Sequence, residues 1–275
     1  MRVFFGILAL VALGSSVCAD LKIERGVAYA LFDKRKVHLD WFRPDNEKIL
    51  AGILLIQGGG WIGGNREAFE PVARDLAKAG FVVANIDYRL ATEAKFPGAL
   101  LDCMAAAKWL RSHYGEAWGV DPDKIAMVGG LASGHLAAMV ATTHGDEFFK
   151  DSENYVGVSD EVIAAVIIGT GVDQVARVKG TKGGSVKNCV ILFGEELDEV
   201  TEMYEKGSPI THLSGKTPPI LMIDGALDRP RQHYVEFRER LDSLGVKNEF
   251  VMVSRSETWS MGLDAFSQRV CHGDD

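Results

Sequence analysis

The stretch Lys124-Ile125-Ala126-Met127-Val128-Gly129-Gly130-Leu131-Ala132-Ser133-Gly134-His135-Leu136-Ala137 decides the fold of this chain. A short strand pattern ends at two glycines, and a helical pattern from about Ala132 to Thr143 begins directly behind them. The same alternation extends in both directions. Upstream lie Ile53 to Ile56, which ends in Gly58-Gly59-Gly60, a helix from about Ala68 to Ala79, a strand from Phe81 to Ile86, and a helix from about Gly98 to His113. Downstream, strands are expected at Val162 to Ile168, Val190 to Phe193, Ile220 to Ile223 and Glu249 to Val253, with a helix from about Gln232 to Leu244. Continuous apolar strands separated by helices mean a mostly parallel central sheet covered by helices on both faces, so the class is α/β. Gly26 to Phe42 reads as a hairpin forming an antiparallel edge. No repeat, linker or low-complexity stretch interrupts the pattern, and residues 20–275 are expected to form a single domain. In such sheets ligands bind beyond the carboxyl ends of the strands, in the loops after Ile56, Val128, Ile168, Ile223 and Val253.

Composition narrows the function. With 275 residues, 47% of them hydrophobic and 25% charged, the chain is neither disordered nor fibrous. A formal charge of −8, from 30 Lys+Arg against 38 Asp+Glu, argues against a nucleic-acid partner, which requires a basic face. Residues 1–19 read as a signal peptide: Arg2 is the positive n-region, Val3 to Leu13 the apolar h-region, and Val17-Cys18-Ala19 the cleavage site. The apolar run is shorter than the ~20 residues of a membrane span, so export to the periplasm or exterior without a stable membrane anchor is expected. Ser15-Ser16-Val17 lacks the residues that precede a lipidated cysteine at Cys18. Cys103, Cys189 and Cys271 form no disulfide framework, and the first two are expected buried and free, Cys189 at the start of a strand. No Cys/His cluster has metal spacing, and neither metal nor cofactor is implied.

Read in order, the loops resemble one family, the α/β-hydrolase carboxylesterases and lipases of the hormone-sensitive-lipase and acetylxylan-esterase-like type. Gln57-Gly58-Gly59-Gly60-Trp61 is similar to its HGGGW oxyanion loop, and Asp87-Tyr88-Arg89 to its DYR motif. Phe96-Pro97, Asp102 and Trp109-Leu110 resemble the helix before the nucleophile strand, and Gly129 to Ala137 resembles GGSAGGHLA. Ser208-Pro209, His212, Pro218-Pro219, Asp224-Gly225 and Asp228 resemble the segment that carries the catalytic acid.

The resemblance implies an α/β-hydrolase fold with a serine nucleophile, a histidine base, an orienting acid and backbone oxyanion donors. The nucleophile position falls on Leu131, whose side chain cannot attack a carbonyl. Gly129 and Ser133 keep the small flanks that the sharp turn needs, and Leu131 is expected in strained backbone. The histidine position falls near Thr258, within Ser256-Glu257-Thr258-Trp259, and His272 lies in a polar tail. Asp228 matches the acid. The donors implied are the N–H groups of Gly59, Gly60 and Ala132, which survive side-chain loss and could hold a small ester, carbonyl or carboxylate. The same glycines also suit a tight turn alone.

Ser133 offers a displaced nucleophile, although a serine there more often bonds to its own helix. His135 is a packing and hydrogen-bonding residue in this motif. Glu195 to Glu199 reads as a solvated acidic run at a strand end, and Gly180 to Gly184 as a surface loop. Three functions follow: an esterase-like homologue without serine hydrolysis, a working carboxylesterase on short acyl or acetylated-carbohydrate esters, or an interaction protein on the same scaffold.

Overall fold

The computed structural model describes residues 20–32, 34–46, 48–113, 118–150, 154–180, 183–225 and 231–253. Eight strands make one sheet: β1 (Leu21–Phe32), β2 (Arg35–Pro44), β3 (Leu50–Ile56), β4 (Val82–Ile86), β5 (Val120–Gly130), β6 (Ala164–Ile168), β7 (Ile220–Gly225) and β8 (Asn248–Val253). Their spatial order is β1-β2-β4-β3-β5-β6-β7-β8, antiparallel from β1 to β4 and parallel from there to β8. The expected α/β class and the antiparallel hairpin edge are both present.

Seven helices accompany the sheet among the described residues: α1 (Glu70–Lys78), α2 (Gly98–Ser112), α3 (Ala132–Thr143), α4 (Gln174–Gly180), α5 (Gly184–Phe193), α6 (Thr201–Lys206) and α7 (Arg231–Ser243). The central strands read as unbroken apolar runs because each face has its own core. In β3, Leu54 and Ile56 pack with α2 and α3, whereas Ile53 and Leu55 pack with Ala73, Leu76 and Ala77 of α1. No helix of the described residues is long and apolar enough to cross a membrane. Residues 1–19, with the expected signal peptide, lie outside the described residues.

One expected strand is a helix. Val190 to Phe193 belongs to α5, and no strand lies between β6 and β7, which pair directly. Periodicity cannot separate a four-residue apolar strand from a buried helical turn. Here Gly194, left-handed at φ 96°, ends a helix whose buried residues Cys189, Leu192 and Phe193 recur at helical spacing. Cys189 therefore sits inside a helix, and the acidic run from Glu195 follows a helix end and not a strand end. Gly180 and Gly184 are the last residue of α4 and the first of α5, so that stretch is a junction between helices. Cys103 and Cys189 are buried and free, as expected, and Cys271 lies outside the described residues.

Candidate functional site

β5 turns into α3 through a single residue. Leu131 caps the helix at φ 54°, ψ −118°, a conformation that costs a non-glycine residue of order 1–3 kcal/mol. Surrounding bonds impose it: the Leu131 N–H donates to the Ile168 carbonyl at 2.8 Å, and the Leu131 carbonyl accepts from the Thr170 hydroxyl at 2.6 Å. Thr170 is held in turn, its N–H donating to the Tyr234 hydroxyl at 2.8 Å. The strain expected from sequence is thus present, and the Leu131 side chain stands 44% exposed at the turn.

Small flanks are compulsory. A Cβ on Gly129 would lie 2.3 Å from the Ser133 carbonyl oxygen. Ser133 is fully buried, its Oγ donating to the Gly130 carbonyl at 2.8 Å and accepting from the Gly130 N–H at 2.9 Å. That serine ties the turn together.

The loop after β3 faces this turn. Gly59 and Gly60 have φ of 134° and 65°, and a Cβ on Gly59 would fall 1.9 Å from the Gly63 carbonyl oxygen, so a glycine is required there for the turn itself. The Gly59 carbonyl accepts from Ile62 and Gly63, while the N–H groups of Gly59, Gly60 and Ala132 donate to no described residue. Backbone donors with no acceptor among the described residues, on a glycine loop and at a helix start, can receive a ligand oxygen. Gln57, in the place of the motif's histidine, is buried, and its side-chain oxygen has no hydrogen-bond partner among the described residues.

Further residues that sequence reasoning missed close this region. The Asn188 amide nitrogen lies 2.4 Å from where a Gly60 Cβ would be, and the Arg177 guanidinium carbon is 5.2 Å from the centre of the Trp61 ring. They belong to α4 and α5, where the sequence suggests no helix but only a surface loop at Gly180 to Gly184 and a strand at Val190 to Phe193. The helical recurrence of apolar residues through Val186, Cys189, Val190 and Phe193 was the signal available.

His135, in the first turn of α3, is a packing residue as expected. It is fully buried, edge-on to Trp61 at 5.3 Å, and its Nε2 donates to the Gly207 carbonyl at 2.7 Å. Burial pushes its pKa down from 6.5 to about 4, opposed by the Gly207 bond and aided by the Arg177 charge. A lowered histidine pKa means that the unfolded chain takes up a proton between pH 6.5 and about 4 while the native one does not. The His135 contribution to stability is therefore level above pH 6.5 and falls with pH through that window, by about 3 kcal/mol at its lower end. Urea denaturation at several pH values is expected to show this slope, and His135→Asn should flatten it.

Asp228, Ser256 to Trp259 and His272 lie outside the described residues. Ser208 is a buried structural serine, accepting from the Gln174 N–H at 2.9 Å and donating to the Tyr204 carbonyl at 2.7 Å. His212 donates from Nε2 to the Lys206 carbonyl at 2.8 Å. Among the described residues no group of three His, Cys, Asp or Glu could hold a metal ion.

The BD-FAE family model matches residues 39–241. The probable carboxylic ester hydrolase LipM of Mycobacterium tuberculosis is 30% identical over 215 residues, covering 76% of this chain and 49% of that protein. Esterase LipC of the same organism is 30% identical over 207 residues, covering 73% and 51%. The chain thus spans about half the length of these curated relatives. A truncated carbohydrate esterase from gut microbiota has the same fold, with a TM-score of 0.78, 23% identity, and coverage of 94% of this chain and 98% of that one. Esterase Est2 of the Planctomycetes species Thermogutta terrifontis superposes with a TM-score of 0.72 at 22% identity, over 92% and 89%. Motif order, sheet topology and a match across most of the chain agree, and the protein belongs to the BD-FAE family, among the carboxylesterases and lipases of the α/β-hydrolase fold.

Proposed function

We propose that this chain is an exported member of the family that does not hydrolyse esters through a serine, and that it binds a small ester, carbonyl or carboxylate ligand in the space its relatives use for catalysis. One observation carries the reading: the strained turn presents an exposed leucine, while the N–H groups of Gly59, Gly60 and Ala132 keep no described acceptor. Leucine offers no nucleophilic atom, and losing a triad serine alone typically costs a factor of about 10⁶ in turnover. The nearest alternative, Ser133, has its hydroxyl buried and occupied on both sides by Gly130. A tethered backbone geometry of this kind needs no reactive side chain to hold an oxygen. Export rests on the leader, with Arg2 before the apolar run Val3 to Leu13 and small residues up to Ala19.

The test uses a fluorophosphonate serine probe and p-nitrophenyl acetate on the chain without residues 1–19. No labelling and turnover at the buffer rate are expected. Labelling of Ser133, together with turnover that disappears in Ser133→Ala, would establish instead a working carboxylesterase with a displaced nucleophile.

A further inference from the structure

We propose that Arg66 is the positioning residue of the glycine loop: it clamps the exit of that loop onto β2 and β4, and so fixes the direction of the Gly59 and Gly60 N–H groups. The inference rests on the reading that these groups receive a ligand oxygen, and it assigns the side chain that aims them. The loop closes on itself. The Gly59 carbonyl accepts from the Ile62 N–H at 3.3 Å and the Gly63 N–H at 3.1 Å, and a Cβ on Gly64 would lie 2.2 Å from the Gly58 carbonyl oxygen. Such internal contacts set the shape of a loop, whereas its orientation on the sheet depends on what holds its two ends. Ile56 holds the entry, in register with Ile86 of β4.

Arg66 holds the exit. It opens a short 3₁₀ turn, Arg66–Phe69, which Asn65 caps by accepting from the Ala68 N–H at 3.2 Å. Main chain and side chain are both engaged. The Arg66 N–H donates to Asp87 Oδ1 at 2.9 Å, and the Arg66 carbonyl accepts from Asn85 Nδ2 at 2.7 Å. Its Nη1 donates to Asp87 Oδ2, its Nε lies 2.9 Å from Asp40 Oδ1, and its Nη2 lies 3.6 Å from the exposed Glu67. Asp40 and Asn85 stand opposite each other in the pairing of β2 with β4, so one residue spans two neighbouring strands.

The groups that receive Arg66 are themselves fixed. Asp40 is buried and also accepts from the Gly26 N–H at 2.8 Å. The Asp87 N–H donates to the His38 carbonyl at 2.9 Å, and the Asp87 carbonyl accepts from the Tyr29 hydroxyl at 2.6 Å. Burial works to lower the Arg66 pKa, yet its bonds to Asp40 and Asp87 hold it above the ordinary guanidinium value. A guanidinium fork between two anchored carboxylates fixes direction as well as distance, which a single ammonium cannot do. The middle of the loop is tied to the same region, since the Trp61 carbonyl accepts from the Ala91 N–H at 2.8 Å, four residues beyond Asp87. Donors held in this way need no reorganisation when an oxygen arrives.

Amide hydrogen exchange, read by NMR on the chain without residues 1–19, tests this. Arg66→Lys keeps the charge and loses the fork. Exchange at Ile62, Gly63 and Ala91, whose N–H groups bond within or onto the loop, is expected to quicken about tenfold, with β5 and α3 at the parent's rates. Asp87→Asn keeps an oxygen for the Arg66 N–H but removes the charge facing Nη1, and should quicken the same amides by about threefold. Arg25→Gln is the control. It breaks the contacts of Arg25 with Glu70 and Asp40, in the same charged cluster, and should leave those amides unchanged. Sodium acetate and methyl acetate, titrated against the Gly60 N–H signal, are expected to bind Arg66→Lys about tenfold more weakly than the parent. Unchanged loop exchange in both Arg66→Lys and Asp87→Asn, or a rise spread equally over β5 and α3, would overturn the positioning role. Quickened loop exchange, with no response of Gly60 to either compound in the parent, would overturn the oxygen-binding reading and leave the clamp standing.

Discussion

Gly129→Ala is expected to abolish the folded state under ordinary conditions, with a loss of about 4 kcal/mol or more. The methyl group would stand 2.3 Å from the carbonyl oxygen and 2.5 Å from the carbonyl carbon of Ser133, and 2.9 Å from the Gly134 nitrogen. All three are backbone atoms of the first turn of α3, which cannot swing aside as a side chain could. That turn is also pinned from behind, since the Ser133 hydroxyl bonds both polar groups of Gly130. Relief would require the strand and helix to separate, breaking the bonds from Leu131 to Ile168 and Thr170 as well. Gly58→Ala is the control on the neighbouring loop. Its Cβ would meet the Phe69 ring at 3.5 Å, an ordinary contact, and its stability should remain within about 1 kcal/mol of the parent. Circular dichroism and urea midpoints of the two variants decide the matter: a normally folded Gly129→Ala protein would show that the turn is looser than described.

Asp102→Ala is expected to cost about 3–5 kcal/mol, the range for breaking a buried ion pair by removing one partner. Asp102 is fully buried on α2 and meets Arg89 three times: Nη2 donates at 2.7 Å, Nε at 2.9 Å, and the Arg89 backbone N–H at 2.6 Å. Burial pushes the Asp102 carboxyl upward against the pull of Arg89, a sign that the site is dry enough for an unpaired charge to be expensive. The guanidinium has further anchors, lying 3.9 Å above the Phe32 ring and donating to the Gly98 carbonyl at 3.3 Å. Alanine therefore strands a cation that the fold holds in place. The double variant Asp102→Leu, Arg89→Met removes both charges and should lose less than Asp102→Ala alone. Urea denaturation of the three proteins gives the comparison, and a double variant no more stable than the single one would show that the pair acts through packing.

Much of this architecture was legible along the chain. α3 begins and ends at Ala132 and Thr143, where the pattern put it, and the hairpin edge, parallel order and strained Leu131 are all present. Such features are local: alternating apolar runs, glycines at fixed offsets and a helix start directly behind a strand each constrain neighbouring residues. His135 packs where the motif put it, whereas the Ser133 hydroxyl bonds to Gly130 at the end of β5 and not to its own helix, because the turn brings the strand end within its reach. The exception is Val190 to Phe193. A short apolar run there was read as a strand because its composition suits either structure, and only the direct pairing of β6 with β7 excludes it from the sheet.

Sequence by itself determined the α/β class, the order of the motifs, and which residue stands at the turn, because spacing and residue type decide those things within a few neighbours. Tertiary structure alone decided that Asn188 abuts Gly60 and that Arg177 lies over Trp61. Those partners are far apart in the chain, and no periodicity records which helix face a folded sheet will bring against a distant loop. What stands beside the glycine loop follows from that packing.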